Sequence, residues 1–225
     1  MTHQNTNSKQ KAVSILKKIA SIIFFLTVFY LIPLIGNYSL LVNWRVIFLA
    51  TICTILFATQ PRLSIAEAKE KKSTDRNTIW LILIGSGVGQ ITSLIEWAYF
   101  SDKIIIGWTI IGASLLIVGT FFRLYAIHVL GKYFSSTVQI KEEHKVISIG
   151  PYKYLRHPSY TGAYIAMVGS AVFLHSIIGI LIFGIGMLFV YRLRINTEEE
   201  TLTNQFKQEY LNYSKHTYKM FPLVW

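Results

Sequence analysis

Two short polar stretches in this 225-residue chain hold side chains able to do chemistry. The first is GPYKYLRHPSYTG, residues 150–162, which sets Arg156, His157 and Tyr160 among two prolines and two glycines. The second is RINTEEETL, residues 194–202, where Arg194 and Glu198 stand four apart and so share one face of a helix. In the first, Pro151 and Pro158 fix φ and bias Gly150 and His157 away from helix, so the backbone is held in defined turns while Arg156, His157 and Tyr160 project. Gly162 is expected to let the chain pass tightly into the apolar segment that follows. Arg194 carries a planar fork of the type that orients a carboxylate. Glu198 is an acidic partner for a cation, and a tyrosine supplies both an aromatic face and a hydroxyl. The same Arg–Glu spacing also describes an ordinary surface pair worth about 0.3–0.5 kcal/mol, so spacing alone leaves both readings open. A third polar stretch, YFSSTVQIKEEHKVI at 133–147, reads either as an ordinary loop or, since the connection it belongs to is long for a structureless one, as a functional segment.

The elements that must position these residues are apolar. Hydrophobic residues make up 52% of the chain and charged ones 15%, where a soluble domain carries about 25%, and the mean hydropathy is +0.44. This composition is that of a membrane protein. A net charge of +11 does not point to nucleic acid, because the basic residues fall in short segments between apolar runs rather than on one folded face. Cys53 is the single cysteine, can form no internal disulfide, and reads as a small buried hydrophobe. No pair of His, Cys or carboxylate groups has metal-ligand spacing, so no metal is expected.

Apolar runs at 19–35, 44–59, 78–100 and 104–130 are each close to or above the roughly 20 residues needed to cross a bilayer, and four spans are expected. The first run is longer than a signal-peptide core and is read as a retained anchor. Lys9, Lys11, Lys17 and Lys18 precede it, and Arg62, Lys69, Lys71, Lys72 and Arg76 follow the second run. Lys132, Lys141, Lys145, Lys153 and Arg156 follow the fourth, whereas the other two connections hold only Arg45 and Lys103. By the positive-inside rule the N-terminus, 60–77 and 131–161 are cytoplasmic. Residues 163–191 would make a helix of about 43 Å against a hydrocarbon core of about 30 Å. One crossing would also strand Arg192, Arg194, Lys207, Lys215 and Lys219 outside, so a re-entrant or short hairpin broken near His175-Ser176 is expected. Residues 192–213 read as an amphipathic helix with Leu202, Phe206 and Tyr210 at four-residue spacing. Within the spans, Gly85 and Gly89 suit close helix packing. Glu96 is expected to reach the interface and Gln90 to bond a neighbouring helix. Snorkelling is the default for Arg123, an interfacial role the default for His128, and either could instead line a site.

Taken together, LGKYFSSTVQI, HKVISIGPYKYLRHPSYTG, RINTEEETLTNQFKQEYLNY and the closing FPLVW resemble the isoprenylcysteine carboxyl methyltransferase family of integral membrane enzymes, and more loosely the phospholipid N-methyltransferases. The likeness runs from about Leu130 to Trp225. It implies an all-α integral membrane protein with four transmembrane helices, a re-entrant or short helical hairpin and a cytoplasmic C-terminal amphipathic helix. Residues 1–130 would hold the N-terminal segment and the spans, and 131–225 the cofactor-binding loop, hairpin and C-terminal helix of a single methyltransferase domain. The resemblance further implies a cytoplasmic pocket for S-adenosylmethionine, closed by the C-terminal helix and open sideways to the lipid bilayer for a lipophilic acceptor. Carried over by motif position, the cofactor contacts are Gln139, His144, Lys145, Val146, Ile147, Tyr152, Arg156, His157, Pro158, Ser159, Tyr160 and Glu198. Arg194 would hold the acceptor's carboxylate and form the catalytic pair with Glu198. The short chain looks like a prokaryotic relative in a cell membrane.

The residue types agree with that chemistry. A sulfonium cofactor wants an acidic partner and donors from a fixed backbone. Methyl transfer is an in-line displacement in which orientation alone supplies roughly 7–11 kcal/mol. A carboxylate acceptor is already ionised at neutral pH, whereas an amine would have to lose a proton first, with His157 or Glu198 as its base. Arg194 therefore favours carboxyl methylation over methylation of an amino-phospholipid or a thiol. A sterol-type reductase, similar to this family in its C-terminal part, would bind a nicotinamide dinucleotide instead, and a membrane scaffold would have no use for this cluster of polar side chains.

Overall fold

The computed structural model describes residues 2–59, 78–101, 105–134 and 146–222. The chain divides into two compact units, Met1–Thr59 and Gln60–Trp225. In the first unit, α1 (Thr2–Leu26) widens into a π turn over Thr27–Leu31 and tightens into a 3-10 turn over Ile32–Leu34. Pro33 explains the change, because it has no N–H to donate and its ring collides with the carbonyl one turn back. Asn43 then caps α2 (Trp44–Ala58) by accepting from the Arg45 backbone N–H at 3.0 Å. Phe25 of α1 stacks on Phe57 of α2 with ring centres 4.7 Å apart.

The second unit is built from two antiparallel pairs, α3 (Thr78–Phe100) with the long α6 (Ile177–Phe206), and α4 (Ile106–Leu130) with α5 (Pro158–Phe173). A short α7 (Gln208–Lys215) follows α6. Small residues set both contacts. A Cβ at Gly119 of α4 would stand 2.4 Å from the backbone nitrogen of Ala166 and 2.7 Å from the carbonyl oxygen of Gly162. One at Gly162 would stand 2.5 Å from the Arg123 nitrogen, so here the two backbones touch directly. Gly162 thus serves helix packing inside α5, and not the tight entry turn read from the sequence. Gly85 and Gly89 of α3 face Met187 and Phe183 of α6, as their spacing suggested.

Among the described residues, four helices are long and apolar enough to cross a membrane: Ile15–Leu34, Thr78–Phe100, Ile106–Tyr133 and Ile177–Phe206. The number matches expectation but the membership differs. Trp44–Ala58 has only 15 residues, about 22 Å, while the second leg of the hairpin runs for 30, about 45 Å. The hairpin breaks where expected, at His175 with φ 58, and its first leg, α5, is short at 16 residues. Its second leg is not. Nothing between Ile177 and Phe206 stops a helix; the glycines at 184 and 186 are absorbed in a π turn over Ile182–Gly186, and α6 continues unbroken through Arg194 and Glu198. The expected amphipathic helix over 192–213 is accordingly split at Lys207 (φ 46) into the end of α6 and α7.

Glu96 has a definite task that its position alone did not reveal. Its carboxylate accepts from the Ser176 hydroxyl and from the backbone N–H groups of Ile177 and Ile178, each at 3.1 Å. Ser176 in turn accepts from the Gly179 N–H at 2.8 Å. The first turn of α6 thereby has acceptors for donors that lipid could not satisfy. Gln90 is buried as expected, but its Nε2 finds no hydrogen-bond partner among the described residues.

The glycine contact between α4 and α5 carries a test. Gly119→Val should destabilise the protein by about 1–3 kcal/mol or more, since the colliding atoms are backbone, and lower the thermal midpoint in detergent. Gly107→Ala, with nothing within 4 Å of the new carbon, should leave that midpoint unchanged or slightly higher.

Candidate active site

The RHPSY turn is held from both sides. Gly150 takes φ +57, a conformation glycine adopts without strain, and Pro151 opens a 3-10 turn over Gly150–Lys153. Pro158 opens α5 and leaves His157 at φ −125, ψ 53, outside helix as its neighbour demands. Extended residues before a proline leave N–H groups needing acceptors, and the chain beyond α7 supplies them. Arg156 N donates to Tyr218 O at 2.8 Å and His157 N to Lys219 O at 3.0 Å, while Tyr218 N donates back to Tyr154 O at 2.9 Å. Thr161 Oγ1 donates to Met220 O at 2.8 Å and Tyr213 Oη to Tyr152 O at 2.7 Å. The C-terminal strap and the proline turn are therefore one structure.

Against this turn α6 places three ionisable side chains. Arg194, 1% exposed, gives its Nε to Glu198 Oε1 at 2.7 Å and to Tyr160 Oη at 3.2 Å, and its Nη1 to Thr78 Oγ1 at 3.1 Å. Tyr160 Oη donates to the same Glu198 oxygen at 2.5 Å. Glu198 Oε2 lies 3.5 Å from His157 Nδ1. Glu199 Oε1 accepts from Arg156 Nε at 2.6 Å and lies 3.3 Å from His157 Nε2, and its Oε2 lies 3.3 Å from Lys219 Nζ. Arg156 Nη1 also donates to the carbonyls of Ser214 and Thr217. The ring of Tyr160 stacks against His157 on one side, at 5.8 Å, and against Tyr191 at 5.0 Å. Burial by itself would lower the His157 pKa, but its contacts with Glu198 and Glu199 outweigh it and raise the value above that of an ordinary histidine. Burial raises the phenols of Tyr152, Tyr210 and Tyr213 well above their usual value, so all three stay protonated as donors.

Of the residues expected from sequence, Tyr152, Arg156, His157, Ser159, Tyr160, Arg194 and Glu198 lie together. Tyr152 and Ser159 are both buried, as is Pro158. Val146 and Ile147 are half-buried in the irregular approach to Gly150. Gln139, His144 and Lys145 lie outside the described residues. Arg123 does not snorkel: it is buried and its Nη1 donates to Ser159 O at 2.9 Å, which brings it to the site, whereas His128 is exposed. Sequence reasoning passed over Glu199, Thr78, Tyr191 and Lys219. Glu199 could have been found from its place beside Glu198 in TEEET; Thr78 and Lys219 carry no such signal, since each is brought in from a distant element.

The fold of this chain is similar to that of a solved eukaryotic intramembrane Ras methyltransferase, isoprenylcysteine carboxyl methyltransferase. The TM-score is 0.64 at 24% identity, over 96% of this chain and 86% of that one. Residues 110–204 match the family model of the isoprenylcysteine carboxyl methyltransferase (ICMT) family. It is 31% identical over 130 residues to the protein-S-isoprenylcysteine O-methyltransferase of Dictyostelium discoideum, covering 57% of this chain and 55% of that protein. It is 31% identical over 118 residues to the protein of the same description from Saccharomyces cerevisiae, covering 52% and 49%. Form B from Arabidopsis thaliana is 32% identical over 115 residues, covering 50% and 58%. The chain thus matches about half the length of these curated relatives.

The raised pKa of His157 sets a sign for pH dependence. Its folded state holds the proton more tightly than the unfolded chain does, so the stability it contributes is complete below about pH 6.5 and is lost as pH rises through the higher folded-state value. The thermal midpoint of the wild type should fall across that window more than that of His157→Gln. Parallel curves would show that the histidine proton plays no part in holding the turn to α6.

Proposed function

We propose that this chain is a multi-pass membrane methyltransferase that uses S-adenosylmethionine to esterify the carboxylate of a lipophilic acceptor of the prenylcysteine type. The observation that carries the reading is the state of the two groups that could act as bases. His157 faces a carboxylate at each ring nitrogen, and Glu198 already meets Arg194, Tyr160 and His157. Neither is disposed to take a proton from an ammonium, so the cluster suits an acceptor that arrives as an anion. The family match and the descriptions of the relatives support the same class.

The donor set fits the cofactor. Two carboxylates and a tyrosine stack suit a cationic ligand, and the buried hydroxyl of Tyr210, beside Glu199 and Arg156, has no hydrogen-bond partner among the described residues. Tyr152, Arg156, His157, Pro158, Ser159, Tyr160 and Glu198 would hold the cofactor, together with Val146, Ile147 and the segment containing Gln139, His144 and Lys145. When bound, S-adenosylmethionine supplies an electrophilic methyl group on a positively charged sulfur. The chain's own work is orientation. Arg194, with its Nε and Nη1 directed by Glu198 and Thr78, is the cation positioned to steer an acceptor carboxylate, and the C-terminal strap keeps water from the turn. A membrane location suits such an acceptor, because each buried CH₂ of its tail is worth about 0.8 kcal/mol. The distribution of lysine and arginine supports a cytoplasmic site.

The direct test is calorimetric binding of S-adenosylhomocysteine to the purified protein in nanodiscs, with NADPH as control, followed by transfer of labelled methyl to a prenylcysteine, an amino-phospholipid and a lipophilic thiol. Saturable binding of the sulfur nucleotide and methylation of the carboxylate acceptor are expected. Binding of NADPH alone would replace the reading with a reductase, and methylation of the amine alone would remove the argument from the engaged bases. Glu198→Gln should weaken S-adenosylhomocysteine by about 10- to 100-fold, the worth of a charge-assisted hydrogen bond. Arg194→Lys, which keeps the charge beside Glu198 but loses the fork, should lower acceptor turnover by a similar factor while cofactor affinity stays within a few fold. An equal fall in both would move Arg194 into the cofactor site.

A further inference from the structure

Glu199 stands next to Glu198 on α6, but one residue along a helix turns the side chain by about 100°. It consequently meets a different set of partners, Arg156 from the proline turn and Lys219 from the C-terminal strap, together with the far side of His157. The imidazole is left with Glu198 Oε2 at 3.5 Å from Nδ1 and Glu199 Oε1 at 3.3 Å from Nε2. A neutral imidazole has one N–H and one lone pair, so either tautomer would turn a lone pair onto a carboxylate oxygen. Only the doubly protonated ring gives each carboxylate a donor.

We propose that Glu199 is a positioning residue, which holds His157 as an imidazolium bridged between two carboxylates and thereby fixes Glu198 against Arg194 and Tyr160. Its consequence for turnover rests on the methyltransferase reading; the bridge itself does not. The charged and titratable groups around the ring are Glu198, Glu199 and Arg194 of α6, Tyr160 of α5, Arg156 of the turn and Lys219 of the strap. The cations among them and burial both oppose a second proton. The two carboxylates prevail, in keeping with the raised pKa. Loss of the Nδ1 proton removes one of three donors from Glu198, so affinity at the site should decline on the alkaline side of the His157 midpoint. Glu199 sets where that decline begins.

The test reads the histidine directly. Ring carbon and nitrogen resonances of the labelled full-length protein in detergent are followed against pH, with His157→Gln used to assign the signal. The midpoint should lie above about 6.5 in the wild type, fall by about one unit or more in Glu199→Gln, and stay near the wild-type value in Glu199→Asp, which keeps the charge. An unmoved midpoint in Glu199→Gln, or an equal fall in Glu199→Asp, would overturn the proposal. Should Glu199→Gln not fold, Lys219→Met decides: by removing a cation that shares Glu199 it should raise the midpoint, and no movement or a fall would count against the bridge. Calorimetry with S-adenosylhomocysteine across the same pH range runs alongside. If it binds, its alkaline loss of affinity should shift with the His157 midpoint, and a loss that stays in place in Glu199→Gln overturns the functional half of the proposal. Absence of binding at every pH would instead strike the methyltransferase reading and leave the titration to judge Glu199.

Discussion

Arg194 is a guanidinium with almost no contact with solvent, on a helix whose earlier turns are apolar. Removing such a charge from water costs several kcal/mol unless it is paired and its remaining protons are accepted. Glu198 one turn away provides the charge, Tyr160 shares the same Nε–H, and Thr78 accepts from Nη1. Those partners come from α6, α5 and α3, so satisfying one buried cation brings three helices to one point. The rest of the site depends on this. Tyr160 reaches Glu198 from the first turn of α5, which Pro158 starts two residues before it, and His157 meets both carboxylates from outside the helix, where that same proline keeps it.

The opposite end of α6 obeys the same constraint with the roles reversed. There the charge is the carboxylate of Glu96, and the groups in need are the first N–H donors of a helix beginning in an apolar setting. Along the length between, α3 and α6 approach through Gly85 and Gly89, where side chains of α6 fill the space the glycines leave. The α4–α5 pair brings backbone against backbone at Gly119 and Gly162 and carries Arg123 to the carbonyl of Ser159. The helical frame thus delivers to one end a rigid turn, a strap pairing with it, and a row of charges from α6.

Burial and pairing also explain why this end can hold so many ionisable groups at once. Glu199 compensates Arg156 and Lys219, Glu198 compensates Arg194, and His157 lies between the two acids. Each group removed from this set would leave another buried without compensation, which is why charge-conserving substitutions are the more informative probes of it. The same engagement leaves both carboxylates and the imidazole partnered on every side the turn and strap reach.

Much of this was legible from residue order. Composition and apolar runs determined a helical membrane protein, because lipid offers no partners for backbone groups and leaves helices as the form for such runs. The two prolines of RHPSY determined a non-helical His157, and the four-residue spacing put Arg194 and Glu198 on one face, since both are local properties of the backbone. Position could not say where α6 would stop: charge counting suggested a short second leg, whereas local helix-forming residues carried the helix straight through to Phe206. Nor could it distinguish an ordinary surface pair from the buried one, because burial of Arg194 is decided by Thr78 and Tyr160, residues 116 and 34 positions away. Arg123 read as an interfacial arginine until α5 was seen to lie against it, and Glu199 and Glu96 had no evident partners until Lys219 and the start of α6 arrived. Pairing of charges out of water is a long-range requirement, met by whatever the fold brings near, and only the tertiary structure determines which residues those are.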